Sequence, residues 1–249
     1  MSAAESTLVV EGRSWRVVLD RPQQGNALSN RLVRELDEVF ERASREDVQA
    51  LILEGRGRHF CTGFDLSSLA TESDDSLLAR FVRIELLLQR VARAPFLTVA
   101  VARGRAMGAG ADLFAACRLR LAGADASFAF PGARGFGLVL GTRRLAALVG
   151  VPMALRWVES ACAVSAAEAR DAGLASELAD VPEQCAKHVA DALAVPAPVR
   201  LALQSASEPD AARHDADDLA SLVRSAAAPG LRDRIAAYVA RSAAARRPA

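Results

Sequence analysis

Ala106-Met107-Gly108-Ala109-Gly110-Ala111-Asp112-Leu113 compresses a tight glycine turn, a helix start and one carboxylate into a short stretch. Glycine adopts backbone conformations denied to other residues, so positions 108 and 110 let the main chain approach a ligand closely. The apolar run Leu113-Phe114-Ala115-Ala116 reads as a buried helix. That places the N–H groups near Ala109 at its unpaired, partly positive end. Donors there can stabilise a developing oxyanion. Asp112 follows Ala109 by one helical turn, on roughly the same face, which sets an acid or base beside an anion hole. By itself the pattern fits an ordinary turn before a buried helix equally well.

Three further segments surround it. Leu19-Asp20-Arg21-Pro22 is followed by Asn26-Ala27-Leu28; next comes Phe60-Cys61-Thr62-Gly63-Phe64-Asp65-Leu66; and Ser165-Ala166-Ala167-Glu168-Ala169 precedes Ala172-Gly173-Leu174. In order and spacing, from residue 8 to about 180, the set resembles the crotonase family, also called the enoyl-CoA hydratase/isomerase family. The resemblance implies an α/β fold, a crotonase-like spiral of repeated ββα units over residues 1–180. It implies a C-terminal helical region over 181–249 that contributes to assembly as a homotrimer or homohexamer. It further implies that the backbone N–H groups of Thr62 and Ala109 converge on a thioester carbonyl. The coenzyme A part of the substrate is then expected past Arg21, Asn26, Ala27, Leu28, Thr62, Gly63, Phe64, Asp65 and Ala109. Coenzyme A enters as part of the substrate, and no permanently bound cofactor is expected.

Asp112 falls where family hydratases carry the first of two catalytic glutamates, and some family isomerases carry Asp. An aspartate retracts the carboxylate by roughly 1.5 Å relative to glutamate, enough to change which substrate carbon it reaches. The second glutamate is expected directly after the proline of Phe128-Ala129-Phe130-Pro131, where this chain has Gly132. Adding water to an enoyl thioester needs one group to activate water and another to deliver a proton. The missing group therefore favours isomerisation or another single-carboxylate reaction over standard hydration. Arg134, near the vacated carboxylate, can be read as a receptor for an acidic acyl group or as a solvated arginine. Glu85, on the helix before Pro95, is a further candidate for the acyl pocket. Asp65 reads as loop support. A nucleophilic Cys61 needs a base or a lowered pKa, and its nearness to His59 reads as a chance pairing. An alternative to an enzyme is a catalytically weak homologue that binds acyl-CoA or supports a partner subunit.

The composition excludes several other classes. With 31 basic and 30 acidic residues the net charge is +1, which gives no argument for a nucleic-acid partner. Four cysteines, at 61, 117, 162 and 185, show no metal-ligand spacing, and His59, His188 and His214 are scattered. No metal site is expected. Neither a GxSxG elbow nor a GxxxxGK[ST] loop occurs. No leader-like start and no apolar run of membrane-spanning length is seen, so a cytoplasmic chain with reduced thiols and no membrane partner is expected.

The elements that must position these residues can be read from patterning. Thr7 to Val10 and Trp15 to Leu19 flank Glu11-Gly12 as a hairpin would. Ser29 can cap a helix over 30–44, in which Leu32, Leu36, Val39 and Phe40 repeat at helical spacing. A buried strand is expected over 50–53, an amphipathic helix over 76–94 stopped by Pro95, and strands over 96–101, 118–121 and 127–130. Beyond Pro182 the chain becomes alanine-rich and helical, divided by Pro196, Pro198, Pro209 and Pro229. Arg246-Arg247-Pro248-Ala249 reads as a loose tail.

Overall fold

The computed structural model describes residues 4–244, and the tail expected at 246–249 lies outside them. Gly12, at φ 61°, turns the chain between strands β1 (Ser6–Glu11) and β2 (Ser14–Leu19), which pair antiparallel. Helix α1 (Asn30–Arg45) then crosses over to β3 (Ala50–Gly55), which lies parallel to β2. The Ser29 hydroxyl caps α1 by accepting the Leu32 N–H at 3.0 Å, and the helix buries Leu32, Leu36 and Phe40.

Helix α2 (Asp74–Ala92) begins and ends two residues earlier than the spacing predicts. The reason is local: Ser73 and Ser76 form a reciprocal capping box that starts the helix, and Arg93 already leaves it before Pro95. After it come β4 (Leu97–Ala102), the short β5 (Arg105–Met107), helix α3 (Ala109–Ala116), β6 (Leu119–Ala122) and β7 (Ser127–Ala129). Small helices α4 (Gly132–Phe136), α5 (Thr142–Val149), α6 (Val151–Ser160) and α7 (Ala166–Asp171) follow, interleaved with β8 (Val164–Ser165) and β9 (Glu177–Leu178).

The strands form two sheets, one in the order β1-β2-β3-β4-β6-β9 and one in the order β5-β7-β8. Each winding of the chain therefore leaves one strand in each sheet: β4 with β5, β6 with β7, then β8 and β9. Isolated parallel bridges Leu28↔Phe64 and Cys61↔Ala106 carry the smaller layer back to the loop after β3. This is the spiral that the ordered motifs imply. Between the layers every residue of α3 is buried, and Trp15, Phe40, Phe60, Phe114 and Phe128 fill the main core.

Four helices complete the described chain: α8 (Pro182–Leu193), α9 (Ala197–Ser207), α10 (Ala211–Ala226) and α11 (Leu231–Ala244). Val189 of α8 packs with Leu97, Val99 and Leu121 under the large sheet. A second cluster joins Leu77 and Phe81 of α2 to Leu138, Leu222, Ala226, Leu231 and Ile235, so α10 and α11 pack on this chain's own core. Among the described residues no helix is long and apolar enough to cross a membrane.

Candidate active site

The site begins with two loops brought into contact by glycines. Cys61 exchanges backbone hydrogen bonds with β5, its N–H donating to Arg105 O at 3.2 Å and its carbonyl accepting Met107 N–H at 3.0 Å. A β-carbon at Gly63 would lie 2.6 Å from Met107 O, and one at Gly110 would lie 2.2 Å from Cys61 O. Only glycine allows the loop 60–65 and the start of α3 to meet so closely. Together they form one wall of a cavity of about 930 Å3, closed elsewhere by α4 and by Tyr238 and Val239 of α11.

Backbone hydrogen bonds decide which donors face that cavity. The Thr62 N–H donates to Gly25 O at 2.9 Å, so the donor expected at Thr62 is already used. Leu28 N–H donates to Gly63 O at 2.7 Å and Asp65 N–H to Leu28 O at 3.2 Å. This parallel bridge takes up the groups on either side of Phe64 and leaves the Phe64 N–H without a partner among the described residues. Ala109, the first residue of α3, likewise has an unpartnered N–H. Phe64 and Ala109 both line the cavity. Phe64, two positions along from Thr62 on the first loop, and Ala109, at the start of α3, are thus cavity-lining residues whose N–H groups are free among the described residues.

The residues expected along the coenzyme A path divide into two groups. Ala27, Thr62, Gly63, Phe64, Asp65 and Ala109 line the cavity, whereas Arg21, Asn26 and Leu28 are not in its lining. Buried Asn26, at φ 55°, accepts Arg21 N–H at 2.9 Å and donates to Arg56 O at 3.0 Å and His59 O at 2.7 Å. Arg21 pairs with Asp65 at 2.8 Å and Glu5 at 3.3 Å. These side chains brace the loop from behind. Burial opposes a charge on Asp65, but hydrogen bonds from Ser67 and Arg21 outweigh it and hold the carboxyl below its usual range. Burial pushes the Cys61 thiol up to about 12, which leaves no thiolate for nucleophilic chemistry. His59 is occupied, its Nδ1 accepting Arg105 N–H at 3.2 Å.

Asp112 differs from Asp65 in having no such support. It lines the cavity, is 5% exposed, and its Oδ1 has no hydrogen-bond partner. Burial raises its carboxyl well above the ordinary value; Arg144 opposes the rise and Glu85 adds to it. Glu85 itself does not reach the acyl pocket. It is fully buried on α2, ion-paired to Arg144 and accepting Gln89 Nε2 at 2.9 Å. Arg134 does not line the cavity either: its guanidinium donates to Glu159 O at 3.1 Å on the exposed side of α4. Gly132 does line it, with no side chain to offer. Among the described residues no group of three or more His, Cys, Asp or Glu is placed to hold a metal ion.

Much of the rest of the cavity wall is apolar, with Gln23, Gln24, His59, Arg105, Ser127, Thr142 and Ser242 as polar members, and its aromatic part beyond Phe64 escapes sequence reading. Phe64 stacks on Phe81 with ring centroids 4.3 Å apart; Phe81 lies 6.3 Å from Phe136, and Phe136 lies 5.6 Å from Tyr238. The signal available for Phe81 was its place on the apolar face of a helix, which marks burial and not a pocket. Tyr238 carried less signal still, since it sits in a helix read only as a packing or interface element.

Comparison with known proteins bears on the family and the fold. Residues 15–209 match the family model for enoyl-CoA hydratase/isomerase. The chain belongs to that family. The Mycobacterium tuberculosis protein named probable enoyl-CoA hydratase echA6 is 34% identical over 183 residues, covering 72% of this chain and 69% of the relative. A Bacillus subtilis protein named probable enoyl-CoA hydratase is 35% identical over 158 residues, 61% of this chain and 60% of the relative. Among solved structures, one from Bordetella parapertussis with a provisional enoyl-CoA hydratase/isomerase name superposes with a TM-score of 0.89 at 43% identity. That match covers 96% of this chain and 99% of the other. An enoyl-CoA hydratase from Bacillus halodurans, 20% identical, shares the fold at a TM-score of 0.80, covering 94% of this chain and 99% of the other. The crotonase spiral expected from the ordered motifs is therefore the fold of this family member.

Proposed function

We propose that this family member acts on an acyl-CoA thioester, holding the thioester oxygen between the Phe64 and Ala109 N–H groups and using Asp112 to move a proton. One observation carries the reading: a buried carboxylate with an unpartnered oxygen shares a cavity with two unpartnered backbone donors. Donors aimed at a forming enolate oxygen need no reorganisation as charge develops. Asp112 takes a proton from the carbon next to the acyl carbonyl, or from the vinylogous γ-carbon, and the electron pair moves onto the thioester oxygen. Returning the proton at the other carbon shifts the double bond. A carboxyl raised above its ordinary value is a stronger base than an exposed aspartate, which suits it to taking the proton.

Hydration asks for more. A second group must activate water on the opposite side, and Gly132 provides none, while the Asp65 carboxylate is held by Arg21 and Ser67. Isomerisation is the simpler reaction for this site. The acyl end is walled by Phe81, Phe136, Leu138, Leu140 and Val158, and Arg134 turns away from it. That apolar stretch supports an uncharged acyl chain, whereas Arg105, also in the cavity lining, is exposed beside His59.

Turnover of a panel of 2-enoyl, 3-enoyl, dienoyl and malonyl-type CoA thioesters tests the proposal. The expected result is double-bond migration with hydration much slower and malonyl-type substrates inert. Tight binding of thioesters without any turnover would overturn the catalytic part in favour of an acyl-CoA-binding role. Isotope-edited infrared spectra of a bound thioester check the donors separately, with the carbonyl stretch expected to fall on binding.

We further propose assembly into homotrimers or trimer pairs. Support comes from the family and from exposed Val199, Leu201 and Leu203 on α9 and Val151 and Leu155 on α6, apolar surface that a neighbouring copy would cover. A stable monomer in sedimentation at micromolar concentration would contradict it.

A further inference from the structure

We infer that Arg144 is a positioning residue for Asp112, a cation clamped between Glu85 and Asp218 so that it lies behind the proposed acid/base without joining it in a full ion pair. The inference rests on the reading of Asp112 as the proton-transfer group.

Two buried polar atoms are left unsatisfied between α3 and α5. Among the described residues, the buried side-chain nitrogen and oxygen atoms without a hydrogen-bond partner are Asp112 Oδ1 and Arg144 Nε. One is an acceptor and the other a donor, and they belong to α3 and α5, which pack together. A buried carboxylate beside a free guanidinium would ordinarily close into a bidentate pair. Arg144 is prevented from doing so. One of its terminal nitrogens pairs with Glu85 of α2, and the other reaches Asp218 of α10 at 3.1 Å. Asp218 is fixed in turn by Arg143 at 2.9 Å, and Arg143 also holds Glu208 at 2.8 Å. Turning the Arg144 fork towards Asp112 would strand a buried carboxylate on α2 or break the chain of pairs to α10.

This restraint has a chemical use. A full pair with arginine would lock Asp112 as a carboxylate and remove its ability to return a proton. Complete isolation in an apolar wall would lock it as the neutral acid. A cation at hand but engaged elsewhere, with the Glu85 charge opposing it, leaves both protonation states within reach. Among the described residues, Glu85 and Arg144 are the charged groups that act on the Asp112 carboxyl. Glu85 is the contribution of α2 and Arg144 that of α5; β4 carries no charged residue, and Arg105 of β5 is exposed beside His59.

The test is a pair of charge-removing variants whose electrostatic effects have opposite sign. Glu85→Gln removes the negative charge and should lower the Asp112 titration midpoint by about one pH unit; Arg144→Gln should raise it by a similar amount. The midpoint is read by 13C NMR of protein labelled at aspartate carboxyls, with the Asp112 signal identified by its disappearance in Asp112→Asn. Where turnover is present, the acidic limb of kcat/KM should move with the midpoint in each variant. A purely structural clamp would lower melting temperature and activity in both variants without moving the midpoints apart. Midpoints that stay together, or shift in the same direction, overturn the inference. Should Arg144→Gln fail to fold, Glu85→Gln decides alone, and an unmoved or raised midpoint there counts against it. The NMR titration needs no substrate, so a wild-type protein that turns over no thioester defeats the proposed function without altering this result.

Discussion

Gly141 and Asp112 are packed so closely that a β-carbon on Gly141 would lie 2.2 Å from Asp112 Oδ1 and 2.7 Å from Cγ. Gly141 also adopts φ +67°, a conformation costing other residues roughly 1–2 kcal/mol. The glycine before α5 therefore sets where the carboxylate stands. Gly141→Ala is expected to push Asp112 out of place, lowering kcat by about a hundredfold while thioester affinity is largely kept. Steady-state kinetics with a parallel thermal melt measure both effects. An unchanged kcat would mean that the Asp112 position does not matter to the chemistry.

Asp112→Asn should retain acyl-CoA binding and reduce turnover by roughly two to four orders of magnitude. It also carries a stability signature. The folded carboxyl titrates well above 3.8, so the native state holds its proton after the unfolded chain has lost it. The stability Asp112 contributes is thus full below that ordinary value and is lost as pH rises through the folded pKa. Asparagine cannot ionise, so the variant should gain stability relative to wild type as pH rises through that window. Urea denaturation at a series of pH values measures the difference, and a constant gap would count against a buried, proton-holding Asp112.

Glu208 should behave in the opposite sense. Hydrogen bonding and charge from Arg93, with His214 and Arg143 adding to them, lower its carboxyl to about 2 against the cost of burial. Its contribution to stability is present above the ordinary value of 4.5 and disappears as pH falls towards 2. Glu208→Gln should therefore melt below wild type at neutral pH, with the two curves converging across that acid window. Melting temperatures followed from pH 7 downward provide the check. Parallel curves would show that the Arg93–Glu208–Arg143 cluster is not what ties the turn between α9 and α10 to the end of α2 and to α5.

How much of this was legible in the sequence depended on how local each cause was. The Ser29 cap, the helical spacing of Leu32, Leu36 and Phe40, and the glycines at 108 and 110 act over a few residues, and reading them led to the right elements. The choice between Thr62 and Phe64 as donor was not local. It turns on Gly25 O reaching the Thr62 N–H and on Leu28 bridging past Phe64, partners that only the folded spiral brings up. Glu85 reads from sequence as a candidate for the acyl pocket on the helix before Pro95, but its partner Arg144 lies 59 residues away, so its direction is not legible there. Arg134 was drawn towards the pocket by its nearness to Gly132 in the chain, yet on the short α4 the two fall on different sides.

The vacancy at Gly132 offers the most direct test of why hydration is disfavoured. Gly132 lines the cavity, and a β-carbon there would meet nothing closer than Leu138 O at 3.4 Å, an ordinary contact. Its φ lies outside the region reserved for glycine, so a side chain can be added without backbone strain. The helix that would carry it is also well held: Arg234 donates to Phe136 O at 3.0 Å and Arg241 to Gly135 O at 3.0 Å. Gly132→Glu is therefore expected to fold and to place a second carboxylate in the cavity that holds Asp112. Hydration of a 2-enoyl-CoA should rise by at least about tenfold, since a positioned acid or base contributes more than this when well aligned. Gly132→Ala separates the charge from the added bulk and should show no gain. Adding Asp112→Asn to Gly132→Glu should abolish the gain, because water addition then lacks its partner group. A Gly132→Glu protein that binds thioester normally yet hydrates no faster would show that the absent carboxylate is not what limits this site.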